Sequence, residues 1–161
     1  MVNSVVAVLL WLSAIGCGLV AGLYFAFSTF VMTALGRIDQ AAGVAAMNSI
    51  NAVILKSLFM PLFFGTTAAA LALAAIAIFR WSAPGAPAML AGGALYVLGM
   101  FVVTVVFNVP LNNALAAADP AGAEAAPVWA RYLKDWTMWN HVRTLASTGA
   151  AALFIAAIAA R

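Results

Sequence analysis

Charge is what this sequence most lacks. It has 7 Lys or Arg and 4 Asp or Glu among 161 residues, and 67% of the chain is hydrophobic. Charged residues therefore make up 7% of the chain, against roughly 25% in a soluble domain. This composition excludes an ordinary soluble domain and indicates an integral membrane protein. Cysteine is also scarce: Cys17 is the only one, which excludes an intrachain disulfide.

Residues that bind metals are equally rare. Zinc needs three or four nitrogen, sulfur or oxygen ligands, and non-haem iron needs two histidines and a carboxylate. The chain offers one histidine, one distant cysteine and four acids in loops, so we expect no metal and no cofactor. The net charge is +3, but the basic residues are scattered singly. They predict contact with membrane lipid rather than with nucleic acid.

Four long uncharged stretches divide the chain. A helix rises about 1.5 Å per residue and the hydrocarbon core is about 30 Å thick, so roughly 20 residues cross it. The stretches predict membrane spans at about 5–36, 57–79, 88–118 and 140–160. We expect an all-α fold, in which residues 1–161 form a single integral membrane domain built as an up-down-up-down four-helix bundle.

Two shorter segments lie between these spans on one side of the membrane. In 39–55, apolar residues recur at helical spacing. In 124–139, Arg131, Lys134 and Asp135 provide a face for water and headgroups. The pattern predicts two short amphipathic helices at the interface.

Polar side chains gather at the same end of the predicted bundle. Amides and cations near lipid are costly to keep without partners, so their presence indicates a site. The candidate substrate-binding residues are Ser28, Asn48, Asn51, Asn108, Asn112, Asn113, Trp136 and Trp139, and the candidate catalytic residues are Asn140, His141 and Arg143.

Each of these residues also has a structural interpretation. Amides commonly bond across membrane helices, and an interfacial histidine is often a hydrogen-bonded structural group. Arg143 could extend to headgroups, and the tryptophans could form an interfacial belt. The residues alone leave both interpretations open.

Pro110 predicts an irregularity in the third span. Proline has no amide hydrogen and clashes with the carbonyl one turn earlier, so the helix should kink or open there. Asn108 and Asn112 lie one turn apart on one face. The freed backbone groups and amides could bind a ligand or satisfy one another.

The residues limit the chemistry that the cluster could perform. Asp135 lies six residues before His141, nearly on the opposite helix face, so no Ser-His-acid set is formed. One base and several donors suffice for proton abstraction beside a carbonyl. His141 would take the proton, while Arg143 and Asn140 would hold the enolate oxygen.

Three stretches carry a resemblance to a known family. Residues 24–30 (YFAFSTF), 107–113 (FNVPLNN) and 136–144 (WTMWNHVRT) resemble the anthrone oxygenase-like family of small integral membrane proteins, and the likeness runs nearly end to end. The resemblance implies oxidation of an anthrone to an anthraquinone. The reactants would be a small hydrophobic aromatic substrate and molecular oxygen, with no cofactor.

Three functional hypotheses follow. The first is a cofactor-free membrane oxygenase acting on an anthrone-like or other enolisable aromatic substrate. The second is a non-catalytic protein that binds a quinone or a lipid through the same cluster. The third is an accessory membrane protein whose polar end docks a partner. Oxygen consumption separates the first hypothesis from the other two.

Two further expectations concern assembly and location. Ala14, Gly18, Gly22 and Ala26 form a ridge of small residues, which predicts close packing against another span or, alternatively, a homo-oligomer interface. We expect a bacterial inner (plasma) membrane. The bias of Lys and Arg towards the first and third loops places the polar end in the cytoplasm.

Overall fold

Four long helices make up most of the computed structural model, which describes residues 2–119 and 124–161. The membrane spans are Ser4–Leu35, Phe59–Phe79, Ala86–Ala117 and Ala125–Ala159, called here spans 1 to 4. The described residues contain no strand. The predicted all-α fold with four membrane helices is confirmed.

The outer surface of the bundle is apolar. In the most hydrophobic window of each span, 28–44% of the residues are buried inside the protein. On span 1, Leu12, Ile15 and Leu19 point outward with more than half of each residue exposed. Uncovered apolar surface of this extent on helices long enough to cross a bilayer requires lipid. The chain is an integral membrane protein.

The spans form a closed ring in the predicted order. Span 1 packs against spans 2 and 4, and span 3 packs against the same two. Spans 2 and 3 are joined by a tight turn at Gly85, whose φ of 79° lies in the left-handed region, where glycine is the least strained residue. Each span therefore runs antiparallel to both of its neighbours.

The first predicted interfacial helix is present at Gln40–Ile54. The carboxylate of Asp39 caps it by accepting a hydrogen bond from the Ala42 amide at 3.2 Å. Gly43 brings it close to span 4, since a Cβ there would lie 2.9 Å from the Trp129 ring. Its apolar face, with Val44 and Met47, is buried over the polar end of the bundle.

The second predicted interfacial segment is helical but is not a separate helix. Ala125–Arg131 continues through a π-helical turn, Tyr132–Trp136, into Thr137–Ala159. No glycine or proline interrupts residues 128–148, so nothing ends the helix where the charged residues occur. Span 4 therefore begins at Ala125 rather than at residue 140.

The small-residue ridge on span 1 does not pack inside the bundle as a unit. Ala14 is buried, but Gly18 and Gly22 are exposed, and a Cβ on either would meet no atom within 4 Å. The close contact uses Gly16 instead, which lies against Thr66 of span 2. The packed stripe is thus offset from the ridge by about half a turn.

Span 3 opens before Pro110, as predicted. Two π-helical segments, Val97–Val102 and Thr104–Asn108, precede an α-helical end at Val109–Ala117. In a π-helix each amide bonds to a carbonyl five residues back, which widens the helix locally. This wider winding accommodates Pro110, which has no amide hydrogen to donate.

Candidate functional site

A buried cation stands at the centre of the polar end. Arg143 on span 4 is 4% exposed. Its Nη2 donates to Oδ1 of Asn140 at 2.7 Å, and its Nη1 donates to Oγ1 of Thr104 at 3.4 Å. No carboxylate in the described ranges is paired with it. A buried positive charge held by neutral groups alone attracts an anion.

Two aromatic rings flank this guanidinium. Its central carbon lies 4.2 Å from the centre of the Tyr24 ring and 4.9 Å from that of the Trp136 ring. Cation–π contacts of this kind stabilise a desolvated cation by about 2 kcal/mol. The rings therefore help to keep Arg143 inside the protein without neutralising it.

Asn140 fixes the position of Arg143. While its Oδ1 accepts from the guanidinium, its Nδ2 donates to the Tyr24 carbonyl and to Oγ of Ser28, both at 2.7 Å. The Ser28 and Thr144 hydroxyls share a further hydrogen bond of 3.0 Å. Ser28 lies in the π-helical turn of span 1, Phe27–Val31, and Tyr24 lies just before that turn. Asn140 thus joins spans 1 and 4 directly beneath the cation.

A cavity of about 220 Å³ opens beside Arg143. It lies between two groups of buried apolar residues, one centred on the middle of the bundle and one beneath the interfacial helix. Seven of its lining residues are aromatic: Tyr24, Phe27, Phe59, Phe63, Phe64, Phe101 and Trp136. An engineered cavity of about 150 Å³ holds benzene, so this one has room for a larger flat ring system.

Few of the residues that line the cavity are polar. The polar lining consists of Asn51, Thr104, Asn112 and Arg143. Nε of Arg143 and Nε1 of Trp136 are buried and have no hydrogen-bond partner among the described residues. Arg143 itself lines the cavity, and a cation in an aromatic cavity favours a ligand that carries an acceptor oxygen.

Tyr132 orients two of these amides, and the sequence analysis missed it. Its hydroxyl donates to Oδ1 of Asn112 at 2.8 Å and accepts from Nδ2 of Asn51 at 3.4 Å. The ring stacks between Trp129 and Trp136, at 5.8 and 5.7 Å between centroids. The sequence signal for its role was its position four residues before Trp136, which places the two rings on the same face of the helix.

Several predicted site residues lie near the cavity but do not line it. Asn108 is buried, and its Nδ2 donates to the carbonyl of Trp136 at 3.2 Å. It joins spans 3 and 4, which is the packing role left open above. Asn48 is half-buried, and its Oδ1 has no partner among the described residues.

Three predicted residues point away from the cavity. His141 and Asn113 are exposed, and Trp139 is half-buried and stacks on Phe107 at 3.7 Å. His141 precedes Arg143 by two residues, a rotation of about 200° on a helix, so the two side chains face opposite ways. The expected meeting of imidazole and guanidinium in one cavity does not occur.

A second cavity lies away from these residues. A hollow of about 190 Å³ lies at the opposite end, beside Arg80 and Arg161. No group of three or more His, Cys, Asp or Glu side chains gathers in residues 2–119 and 124–161. Cys17 is fully buried in the middle of the bundle.

Comparison with known proteins adds one finding. A family model described as anthrone oxygenase matches residues 51–153, which is more than half of the chain. The matched region contains Arg143, Asn140 and Thr104. It includes all of spans 2 and 3 and most of span 4. No curated protein and no solved structure matches the chain.

Proposed function

Because the chain belongs to the anthrone oxygenase family, we propose that it is a membrane oxygenase that uses molecular oxygen and no cofactor. Its substrate would be an anthrone-like or other enolisable aromatic molecule. One observation carries the proposal: Arg143 is a buried cation, without a carboxylate partner in the described ranges, at the wall of an aromatic cavity.

The chemistry needs an anion and a place to hold it. An anthrone has an acidic methylene opposite its ketone, and loss of one proton gives an anion with its charge on the ketone oxygen. That oxygen would bind the guanidinium of Arg143, which lines the cavity. Preorganised donors stabilise such a charge far more than water does, because they do not have to reorganise as the charge forms. Arg143 therefore lowers the free energy of the reactive form.

Oxidation then proceeds from the bound anion. The anion passes one electron to oxygen, and the resulting radical and superoxide combine to form a C–O bond at the former methylene carbon. Protonation of the peroxide gives a hydroperoxide. Its O–O bond then breaks as the remaining C–H proton is lost, which yields the quinone and water. The balance is one substrate CH2 and one O2 giving one C=O and one H2O.

The cavity residues take distinct roles in this proposal. Arg143 contacts the developing oxyanion, and Asn140 is a positioning residue for it. Asn51, Asn112 and Thr104 contact other oxygens of the substrate, while rings such as Phe63 and Phe101 stack on its faces. His141 faces outward, so the first proton passes to water rather than to the imidazole.

Oxygen consumption tests the proposal. Protein reconstituted in lipid nanodiscs with a hydroxylated anthrone is expected to consume one O2 per quinone formed, at a rate above that of empty nanodiscs. Arg143→Gln should bring the rate close to the background. Protein that binds the anthrone or the quinone without accelerating oxygen uptake would overturn the oxygenase and leave the quinone-binding alternative.

We also propose an orientation in the membrane. Since Arg143 is buried in the site, it does not count as a loop cation. The polar end still presents Arg37, Lys56, Arg131 and Lys134, against Arg80 and Arg161 opposite. The positive-inside tendency places the polar end in the cytoplasm of a bacterial inner membrane. Labelling of Lys56→Cys in intact cells by a membrane-impermeant thiol reagent would contradict this orientation.

A further inference from the structure

The wall of the cavity is incomplete between spans 2 and 3. Phe64 on span 2 and Val105 and Val109 on span 3 all line the cavity. Leu55, just after the interfacial helix, also lines the cavity and is 65% exposed. Of the lining residues on spans 2 and 3, Phe64, Val105 and Val109 are the exposed ones, at 54%, 50% and 40%. A residue that lines a cavity and is also exposed lies at its mouth. These three residues, called the rim, mark an opening on the side of the protein.

Close packing of the two spans is lost towards the polar end. Deep in the bundle their backbones touch, because a Cβ on Gly93 would lie 2.6 Å from the carbonyl oxygen of Ala70. Nearer the polar end, the ring of Phe101 separates the helices and lies 5.4 Å from Phe63 and 6.2 Å from Phe64 between centroids. The π-helical turns of span 3 lie along this stretch. The gap is therefore built into the helix pair.

The surroundings of the rim are apolar. Val102, Val106 and Leu58 are exposed beside it. Phe64 lies five residues into span 2, a rise of about 8 Å from its first residue, and the exposed Lys56 marks the headgroup level just before that. The mouth faces the outer part of the hydrocarbon region rather than water.

We propose that the ligand enters sideways from the lipid, through the gap between spans 2 and 3. The class of ligand is a flat apolar ring system dissolved in the membrane, with one acidic oxygen that reaches Arg143 at the far wall. That class rests on the proposed function, whereas the route rests on the rim alone. A cavity reached in this way admits molecules that water scarcely carries.

Thiol labelling inside the cavity tests the route without requiring turnover. In a Cys17→Ala background, Ile50→Cys places a reporter on a half-buried lining residue of the interfacial helix. The protein in nanodiscs is treated with benzyl methanethiosulfonate, which dissolves in lipid, or with its charged ethylsulfonate counterpart. We expect the benzyl reagent to react at least about tenfold faster, because the hydrocarbon excludes the charge.

A matched pair of substitutions then locates the mouth. Val105→Trp fills the rim and should slow the benzyl reagent by about fivefold, which corresponds to roughly 1 kcal/mol of added barrier. Val106→Trp is the control, since Val106 is 51% exposed at the same depth and does not line the cavity. It should leave the rate unchanged. If Val105→Trp does not fold, Val109→Trp fills the rim one turn later.

Two results would overturn the lateral route. One is equal labelling by the charged and the benzyl reagents, which would mean that the cavity opens to water. The other is an equal effect of the Val105 and Val106 substitutions. Neither result depends on oxygen uptake, so a failed oxygenase assay and a failed route remain distinguishable.

Discussion

The guanidinium of Arg143 lies 4.2 Å from the centre of the Tyr24 ring, although the two residues are on different spans. Beneath this contact, Asn140 binds both the guanidinium and the Tyr24 carbonyl. Spans 1 and 4 are thus joined through a cation that has no counterion in the described ranges. The most direct predictions concern this arrangement.

Removing the charge should separate activity from stability. Arg143→Met is expected to lower the rate of oxidation by about 100- to 1000-fold, the usual loss for one oxyanion donor. Relief from the cost of burying a cation is offset by the lost cation–π contacts and the unpaired Oδ1 of Asn140, so the melting temperature should change little. Steady-state oxygen uptake and thermal unfolding measure the two effects. Arg37→Met removes an exposed cation and should change neither, and equal activity in both variants would contradict the assigned role.

Asn140 is expected to matter for both properties. Asn140→Ala leaves the Tyr24 carbonyl, the Ser28 hydroxyl and one guanidinium N–H without their present partner. Buried polar groups left unpaired cost about 1–3 kcal/mol, which thermal unfolding should detect. Asn140→Asp places a carboxylate beside Arg143 but loses the donor to the Tyr24 carbonyl, so it should inhibit oxidation with a stability loss that the new ion pair partly offsets. Asn113→Ala, at an exposed amide, is the control; an active Asn140→Asp protein would argue against an anionic substrate.

His141 should be dispensable. Its exposure on the face opposite Arg143 removes it from the reaction, so His141→Ala should keep the rate within about twofold. A general base would contribute about 100- to 10,000-fold, a difference that the same oxygen assay resolves easily. A loss of that size in a protein with an unchanged melting temperature would restore the base that the sequence suggested.

The Tyr132 hydroxyl is expected to act together with Asn112. Tyr132→Phe removes the bridge between Asn51 and Asn112 and should cost about 1–2 kcal/mol of stability. It should also raise KM more than it lowers kcat, because the amides lose their orientation. When Tyr132→Phe is combined with Asn112→Ala, the loss of stability should be smaller than the sum of the two single losses. Both changes break the same hydrogen bond. Fully additive effects would mean that the two side chains act separately.

The sequence predicted the fold, and it predicted several of the polar residues that the structure places at one end of the bundle. Length and hydropathy predicted the four spans, and alternation of direction brought Ser28, Asn112, Asn140 and Arg143 to one end. Helical rotation explains where the structure places the other candidates: His141 and Asn113 adjoin Asn140 and Asn112 in the sequence, but their positions on the helix turn them outward. At about 100° of rotation per residue, His141 and Arg143 lie on opposite faces of the helix.

Contacts between distant segments account for what was missed. Tyr132 becomes part of the site only because the interfacial helix brings Asn51 to it, 81 positions away in the chain. The rings of Phe59, Phe63 and Phe101 form a wall because spans 2 and 3 diverge at their level. Neither relation has a local pattern, since long apolar helices look alike whether they touch or part.

Spans 1, 3 and 4 each contain a π-helical turn at or near the level of the cavity, at Phe27–Val31, Thr104–Asn108 and Tyr132–Trp136, whereas span 2 is regular along Phe59–Phe79. Each such turn accommodates one residue more than an ordinary turn. The shape of the chamber therefore depends on residue number as well as on residue type. Deleting a single residue from Tyr132–Trp136 would restore normal pitch and leave Trp129 and Arg143 facing as they do now, so its effect would fall on Tyr132 and Trp136, the side chains that the wider turn presents.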